Sequence, residues 1–555
     1  MPPKNRDFKA KAKSKPSNPQ SEVEYLEAAD EFEQAAVSFA LPFRIFSPQQ
    51  GKWRAGDAAK SARFFQRAVQ VYDEGLAKFP QSFDLAYNKA HLEYQACEDE
   101  RVGPHLGNKS ALLQETLASH RAAMFLNRDN LDVQFNTGQV LSSSAEALLE
   151  DEVEAEGKAP ARALLEEAAD LFANVLAAQQ REYEQTALRW KDIQNEQGDA
   201  SLDGGGVTLD AGTGTGEQKD ADAASEGSSA TGEWATVEEA LSPEVILETC
   251  TAQLGALTTL LSLYDTTELP NLEKRVQEGL STVNASISTL ISLVDNAPQP
   301  PIEDEAAGPT LSISSPSTKQ EHALTPKDDA LLAAAIFQVA VAEASYRSGN
   351  ITAPQYASTV SHLFATLMLG PQSPEQQVAK QSAYADALVA VAEASSAATS
   401  DMETQWNALS EAQKLLTQLA KPPHNALLSP SRLADILDTR ADIDLTRFGL
   451  SFRDDAKPAW ISSRNVLVSN AGVFYRGAKS YGERAGDVEQ AKTAGAKAVV
   501  AEVLKQVLGQ GDGAVAVKPS WKEQQVGVRE VLEQMITERI LGQREGEEVL
   551  RIVSK

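Results

Sequence analysis

Apolar and small side chains recur at steps of three and four residues along most of this chain, which limits what it can fold into. The recurrence is clearest in residues 56–80, where one face of a predicted helix is apolar. Gly56 and Asp57 predict a turn before that helix, and Pro80 predicts its end. The residues on the apolar face are Ala62, Phe65, Ala68, Val69 and Tyr72. Few segments alternate as strands do. The sequence therefore predicts an all-α protein of helical hairpins, which must stack because a lone hairpin cannot bury its apolar face.

Residues 56–80 resemble the second helix of a tetratricopeptide repeat. The small, aromatic and alanine positions of that helix would be Ser61, Phe65 and Ala68. Two further units follow, and Gly138 falls at the family's glycine for close helix packing. Residues 22–190 thus hold about three repeats of roughly 34 residues, stretched by loops. The resemblance implies a tetratricopeptide-like helical-hairpin solenoid, in which the first helix of each repeat lines a concave groove.

Composition divides the remainder of the chain. Residues 1–21 are basic and contain prolines, which predicts a disordered tail that is either a nuclear-import signal or a solubilising segment. Residues 191–240 are rich in Gly, Ser and Asp, and residues 297–326 are rich in Pro and acids, which predicts two disordered acidic linkers. The sequence also predicts a helical hairpin at residues 241–296, with Ser242 as its N-cap. Further hairpins are predicted at residues 327–508, where Ser429 is a cap and the last long helical stretch covers residues 460–508. A C-terminal helix is predicted at residues 520–545.

Residues 37–50 interrupt a predicted helix that covers residues 24–36. They are apolar, contain two prolines and lie where no loop is expected. Without them the helix would continue from Ala36 to Gly51. One hypothesis is a retained intron, because the first and last codons of the segment can match splice borders. The alternative is a genuine apolar loop, and the sequence of the spliced transcript separates the two.

The chain carries a formal net charge of -28 and has a pI of about 4.7. Such a surface repels nucleic-acid phosphates and anionic lipid headgroups, so we expect neither nucleic-acid nor membrane partners. We find no apolar signal segment at the start and no run of roughly 18 apolar residues that would predict a membrane span. Cys97 and Cys250 are too few for a disulfide framework. This favours the cytoplasm, the nucleus or both.

No pattern in the sequence indicates catalysis, a cofactor or a metal. The six histidines are scattered, and none forms the helical pair that is typical of zinc sites. Residues 509–514 fit a Gly-x-Gly-x-x-Ala pattern, but they follow a predicted helix rather than a strand, which favours a turn over a dinucleotide site. We therefore expect no catalytic residues, no metal ligands and no cofactor. An enzyme is the third and least favoured function.

Polar and aromatic residues on the predicted first helices are candidates for contact with a partner. Some tetratricopeptide co-chaperones clamp a chaperone's C-terminal carboxylate with Lys, Asn and Arg on these helices. Asn88 matches one such position, but Glu33 and Asn136 stand where Asn and Arg would be, and Glu33 would repel a carboxylate. Asn88 and Asn136 have hydrogen bonding between helices as an alternative role. The candidate residues are Tyr87, Asn88, Tyr94, Phe135, Asn136 and Gln139.

These features predict a non-catalytic scaffold that binds a peptide or helix of an unidentified protein in a tetratricopeptide-type groove. The alternative is an acidic assembly chaperone for a basic client, such as a ribosomal protein or a histone. The acidic loop at residues 150–156 and the insert at residues 191–240 favour this alternative. The two functions differ in their salt response, because a client held by charge is lost steeply as salt rises.

Overall fold

A computed structural model describes residues 19–40, 57–99, 101–151, 157–199, 241–265, 268–296, 324–395, 401–510, 521 and 525–554. Over these ranges the regular secondary structure is helical, with no β-strand. Consecutive helices pack as hairpins, and each hairpin packs on the next. The chain is an all-α solenoid of helical hairpins, as the periodicity predicts. Most of the predicted tail and both predicted linkers fall largely outside the described residues.

The first three hairpins are formed by helices that begin at short polar capping residues. Asp57, Ser82 and Asn108 each accept a hydrogen bond from the backbone N–H three residues on, at 3.0 to 3.1 Å. Each cap satisfies an N–H group that has no partner inside its helix. The hairpins are α1 (Glu22–Ala40) with α2 (Ala58–Lys78), α3 (Phe83–Glu98) with α5 (Lys109–Leu126), and α6 (Leu131–Asp151) with α7 (Lys158–Asp199), the short α4 (Gly103–Leu106) preceding α5.

Small residues set the distance between the helices of these hairpins. Ser61 of α2 is buried and its Oγ donates to the Ala36 carbonyl of α1 at 2.8 Å. A Cβ on Gly138 of α6 would lie 2.7 Å from the Phe172 ring of α7, so only glycine allows this approach. The predicted small and packing positions at Ser61 and Gly138 are therefore close helix contacts.

Two predicted boundaries in this half are wrong. Helix α1 continues to Ala40, so residues 37–40 of the suspected insert are helical. Residues 41–50 lie outside the described part of the chain, and the intron hypothesis stays a hypothesis. Helix α7 continues to Asp199, so the predicted disordered insert cannot begin at residue 191. The polar composition after Trp190 conceals this extension, because the sequence there has no apolar periodicity.

The fourth hairpin differs from the predicted one. Helix α8 (Pro243–Ser262) packs along α7 and along α11 (Pro326–Arg347). The segment predicted to pair with α8 forms α9 (Glu273–Ser281) and α10 (Ser288–Asn296), joined by a π-helical turn, and it contacts α8 over a shorter length. The Phe337 ring of α11 lies over Gly279 of α9. The predicted pairing of α8 with residues 268–296 is therefore present, and α8 also pairs with α11 across residues 297–325.

Helices α8 and α11 are long and strongly apolar. By length and composition alone, both could cross a membrane. Each packs against neighbouring helices of the solenoid, and core helices of soluble proteins pass the same test. Ser242 occupies the N-cap of α8 as predicted, but its side chain makes no capping hydrogen bond.

The C-terminal half continues the stack. Its helices are α12 (Ala353–Leu367), α13 (Pro374–Ala394), α14 (Met402–Leu419), α15 (Pro430–Leu450), α16 (Pro458–Ala485), α17 (Val488–Gln510), α18 (Gln525–Thr537) and α19 (Gln543–Val553). Helix α13 packs on α14, α15 on α16, and α16 on α17. Ser429 caps α15 as predicted, since its Oγ accepts from the Arg432 N–H at 3.1 Å. The Trp406 and Trp460 rings stack at 4.5 Å between α14 and α16.

Two long helices predicted in this half are each divided. The predicted stretch at residues 460–508 is α16 and α17, parted at Gly486, whose φ of 82° ends α16 in the left-handed conformation that favours glycine. The predicted helix at residues 520–545 is α18 and α19, which meet at a turn where Arg539 has a φ of 60°. A non-glycine residue in that conformation is uncommon, which explains why the sequence does not reveal this break.

Candidate protein-binding surfaces

The predicted contact residues fall largely on a seam between α3 and α6, the first helices of the second and third hairpins. Tyr87 and Tyr94 lie two turns apart on one face of α3. Asn136 Nδ2 donates to Tyr87 Oη at 3.0 Å, and Tyr94 Oη lies 3.1 Å from Ser143 Oγ. Four neutral side chains therefore join the helices at both ends of the seam. Asn136 makes the hydrogen bond between helices that is its alternative role.

His91 lies between the two tyrosines, a position that no sequence motif predicts. Its ring stacks on Tyr87 with 6.0 Å between centroids. Burial lowers the pKa of His91, so the ring is neutral at pH 7. Its Nδ1 atom is buried and has no hydrogen-bond partner among the described residues. Gln139, one turn from Asn136 and one turn from Ser143, faces the same seam from α6.

A second histidine lies behind this seam. His120 of α5 is fully buried, its ring meets Tyr94 edge-on at 6.3 Å, and its Nδ1 lies 2.9 Å from the Thr116 carbonyl. Burial lowers the pKa of His120 to about 4. The neutral ring therefore acts here as a packing group.

One of the other predicted contact residues packs between helices, and two have side chains that make no hydrogen bond to a described residue. Phe135 meets Phe172 edge-on at 5.7 Å, between α6 and α7. The side chains of Asn88 and Gln139 are half-buried and make no hydrogen bond to any described residue. Of the predicted set, these two keep polar atoms available to a partner.

Glu33 stands at a clamp position according to the tetratricopeptide resemblance, and its carboxylate is hydrogen-bonded within its own hairpin. Tyr72 Oη of α2 donates to Glu33 Oε1 of α1 at 2.6 Å, and burial raises the pKa of Glu33. Lys89 of α3 lies 2.7 Å from Asp73 and 3.6 Å from Glu93. This charged group between α2 and α3 was not predicted, because its members belong to different helices.

The first helices of four hairpins form a continuous row. Helix α1 contacts α3, α3 contacts α6, and α6 contacts α8. Tyr87, Asn88, Tyr94, Asn136 and Gln139 all belong to the two central helices of this row. We name this surface, made by α1, α3, α6 and α8, the first-helix face.

A cavity of about 790 Å³ lies on the second helices α5 and α7. Phe125, on its wall, is 75% exposed, and Arg121, Arg128 and Arg181 surround it. An exposed aromatic ring beside arginines is typical of protein contact surfaces. No sequence motif marks these residues.

The C-terminal half has an acidic cavity of about 760 Å³, between α13, α14, α15 and the turn that joins α18 to α19. The charged residues on its wall are Asp386, Glu393, Asp442, Glu538 and Arg539. Gln405 of α14 also lines it and is only 4% exposed. The sequence does not reveal this site, because its residues come from four separate segments.

Asp442 is held in place from the opposite side by buried polar groups. Lys497 Nζ lies 3.0 Å from Asp442 and 2.7 Å from Asp438, and Tyr475 Oη donates to Asp442 at 2.5 Å. Burial raises the pKa of Asp442, although Lys497 opposes the shift. Burial also acts to lower the pKa of Lys497, but the two carboxylates outweigh it and hold that pKa above its ordinary value. We name Lys497, Asp438, Asp442 and Tyr475 the ionic seam.

The cysteines and metal-type ligands do not converge in the part of the chain that the structure describes. No three His, Cys, Asp or Glu side chains are grouped there to hold a metal ion. Cys97 and Cys250 are buried, and burial raises the pKa of both thiols, that of Cys250 to about 12. Both are therefore protonated at pH 7.

No protein-family model matches the chain. A stretch of 95 residues is 30% identical to UPF0656 protein C926.02 of Schizosaccharomyces pombe, and it covers 17% of this chain and 20% of that protein. The match thus spans about a fifth of the relative's length. Among solved structures, the chain is similar to a circular tandem repeat protein with novel repeat topology and enhanced subunit contact surfaces. That similarity has a TM-score of 0.28 and 13% identity, over 96% of this chain and 99% of the other. The assignment as a helical-hairpin solenoid therefore rests on the helices themselves.

Proposed function

We propose that this chain is a non-catalytic scaffold that binds another protein in a tetratricopeptide-type groove. The observation that supports this function is the first-helix face, a continuous row of helices with half-buried aromatic and polar side chains. Peptides and helices dock in such grooves through a few aromatic or apolar anchors and a few polar contacts. Tyr87 and Tyr94 would supply the anchors, and Asn88 and Gln139 the polar contacts.

Affinity purification of the tagged chain with mass spectrometry tests this proposal when matched variants are compared. Asn88→Arg combined with Gln139→Arg adds bulk and charge to the first-helix face without removing a side-chain hydrogen bond to a described residue. Gln66→Arg combined with Gln114→Arg adds the same charge at exposed positions of the second helices α2 and α5. We expect the wild type and the second variant to recover the same proteins, and the face variant to lose them. Equal recovery by both variants would contradict the groove.

A second candidate function is an acidic assembly chaperone for a basic client. The acidic cavity supports it, together with the net charge of -28. Repeating the purification at low and high salt separates the two functions. A client held by charge is lost as the Debye length falls from about 10 Å at 0.1 M to about 3 Å at 1 M. A ligand held by groove anchors is retained.

A further inference from the structure

The wall of the acidic cavity carries four carboxylates and one cation, Arg539, and Lys497 already pairs with Asp442. Glu393 makes no hydrogen bond or ion pair with any of them. Glu538 accepts a hydrogen bond from the neutral Gln534 amide at 2.8 Å. Asp386 lies 3.8 Å from Arg432, but both side chains are exposed, and such a contact contributes little. The cavity therefore offers carboxylates to a cation from outside.

These carboxylates also disfavour one another's charge. The Glu393 side chain stays exposed, yet partial desolvation raises its pKa, and the nearby Glu343 and Glu538 raise it further. A bound cation relieves both effects, because an opposite charge nearby favours the ionised carboxylate.

Gln405 is an independent sign that the cavity takes a ligand. It lies on the cavity wall and is only 4% exposed, yet its side-chain amide makes no hydrogen bond to a described residue. A polar side chain that is nearly buried usually finds a hydrogen-bond partner within the protein. The amide can both donate and accept, so it suits a peptide group or the polar head of a cationic side chain that enters the cavity.

We propose that this cavity binds lysine or arginine side chains of an extended basic segment in a partner protein. This proposal rests on the proposed scaffold function in one respect: both require that the ligand is a protein. Asp386 and Glu393 lie seven residues apart on one face of α13, about 10 Å along the helix axis. Glu538 adds charge from the α18–α19 turn, while Asp442 of α15 is already paired with Lys497. A charge row of this length exceeds the size of one ammonium group, so a segment with several cations fits it better than a single ion does.

The cavity is also held in a fixed shape. The ionic seam fixes Asp442 on one side. On the other side, the Arg539 N–H donates to the Ile536 carbonyl and the Ile540 N–H to the Met535 carbonyl, at 3.1 and 2.9 Å, which fixes the turn after α18. A preformed site loses less conformational freedom on binding. Its volume of about 760 Å³ falls within the range of about 300–1,000 Å³ that is typical of ligand pockets.

Fluorescence anisotropy with the full chain tests the proposal directly. The probe is a fluorescein-labelled peptide of alternating lysine and glycine, and its control is the same peptide with every lysine acetylated. We expect the lysine peptide to bind and the acetylated peptide not to bind. Glu393→Gln combined with Glu538→Gln should weaken binding about tenfold or more, because two charge-assisted contacts are lost. Gln405→Leu should weaken it about threefold.

Matched controls show whether the site or the overall charge is responsible. Glu411→Gln combined with Glu489→Gln removes two exposed acids elsewhere, and binding should stay within about twofold. Equal loss in both double variants, with unchanged helical circular dichroism, would overturn the proposal. Replacing Lys4, Arg6, Lys9, Lys11, Lys13 and Lys15 with Gln should leave the affinity unchanged. A large gain in affinity would instead show that the chain's own tail occupies the cavity, and would overturn the assignment to a partner. These variants share no residue with those of the first-helix face, so the two proposals fail separately.

Discussion

The α3–α6 seam and the ionic seam join helices in opposite ways. Neutral side chains connect α3 to α6, through Tyr87 with Asn136 and Tyr94 with Ser143. Charged side chains connect α15 to α17, through Lys497 with Asp438 and Asp442. Neutral hydrogen bonds cost little to form and contribute little each. Buried ions stabilise a fold only while every charge keeps its partner. The two halves of the solenoid should therefore lose different amounts of stability when one side chain of a seam is removed.

Lys497→Met should have the largest effect on stability. It leaves Asp438 and Asp442, whose side chains are 26% and 22% exposed, without their cation, which should cost about 3 kcal/mol of the free energy of unfolding at pH 7. Urea unfolding followed by tryptophan fluorescence measures this cost, since Trp406, Trp460 and Trp521 lie buried in the same half. Lys479→Met is the control: that lysine is about half exposed and 3.9 Å from Glu483, so its loss should cost less than about 0.5 kcal/mol. Equal costs would show that the ionic seam is not buried as described.

Replacing glycine with alanine should change stability in opposite directions at a crowded helix contact and at a position with free space around it. Gly138→Ala should destabilise the chain by about 1–3 kcal/mol, because its Cβ would overlap the Phe172 ring. Gly255→Ala meets no atom within 4 Å and should stabilise α8 by about 0.5–1 kcal/mol through helix propensity. Thermal unfolding of both variants checks the opposite signs. Destabilisation by Gly255→Ala would mean that α8 packs differently.

Acidification should act on the two halves with opposite signs. The pKa of His120 falls from 6.5 to about 4 through burial, so the stability it contributes is present above pH 6.5 and is lost as pH falls below it. The pKa of Asp444 rises from 3.8 to about 6, chiefly through burial, so the stability it contributes is lost as pH rises through about 6. Between pH 7.5 and 5.5 each effect amounts to about 1 kcal/mol.

Two variants isolate these contributions by urea unfolding at both pH values. Relative to the wild type, His120→Gln should gain about 1 kcal/mol on going from pH 7.5 to 5.5, and Asp444→Asn should lose about as much. Shifts of the same sign in both variants would contradict the burial of one of the two groups.

Removing a hydrogen bond from the neutral seam should have the smallest effect. Tyr87→Phe deletes the hydroxyl that accepts from Asn136 and should cost about 0.5–1.5 kcal/mol. Asn88→Ala removes no side-chain hydrogen bond to a described residue and should cost less. Urea unfolding compares them. A cost for Tyr87→Phe as large as that for Lys497→Met would remove the contrast between the two seams.

Much of the fold follows from local sequence. The apolar faces and the caps at Asp57 and Ser429 are encoded within a few residues of each position. Local signals of this kind specify where a helix begins and which face it buries. The all-α hairpin architecture is therefore predictable from the chain alone.

What the sequence does not specify is which distant surfaces meet. Leu254-Gly255 has the same local pattern as a packing glycine, yet no atom lies within 4 Å of where a Gly255 Cβ would be. Helix α8 pairs with α11 as well as with the nearer segment, and the three share one apolar core that crosses residues 297–325. For the same reason the acidic cavity could not be foreseen, since its acids and Gln405 are far apart in the chain.

Hydrogen–deuterium exchange of the chain, alone and with a partner recovered by the wild type but not by the face variant, tests the central claim most directly. If the first-helix face is the binding surface, exchange should slow in α3 and α6 more than in the second helices α2 and α5, because a bound ligand stabilises the helices it contacts. Unchanged exchange in α3 and α6, with slowing confined to other helices, would contradict a groove at this face.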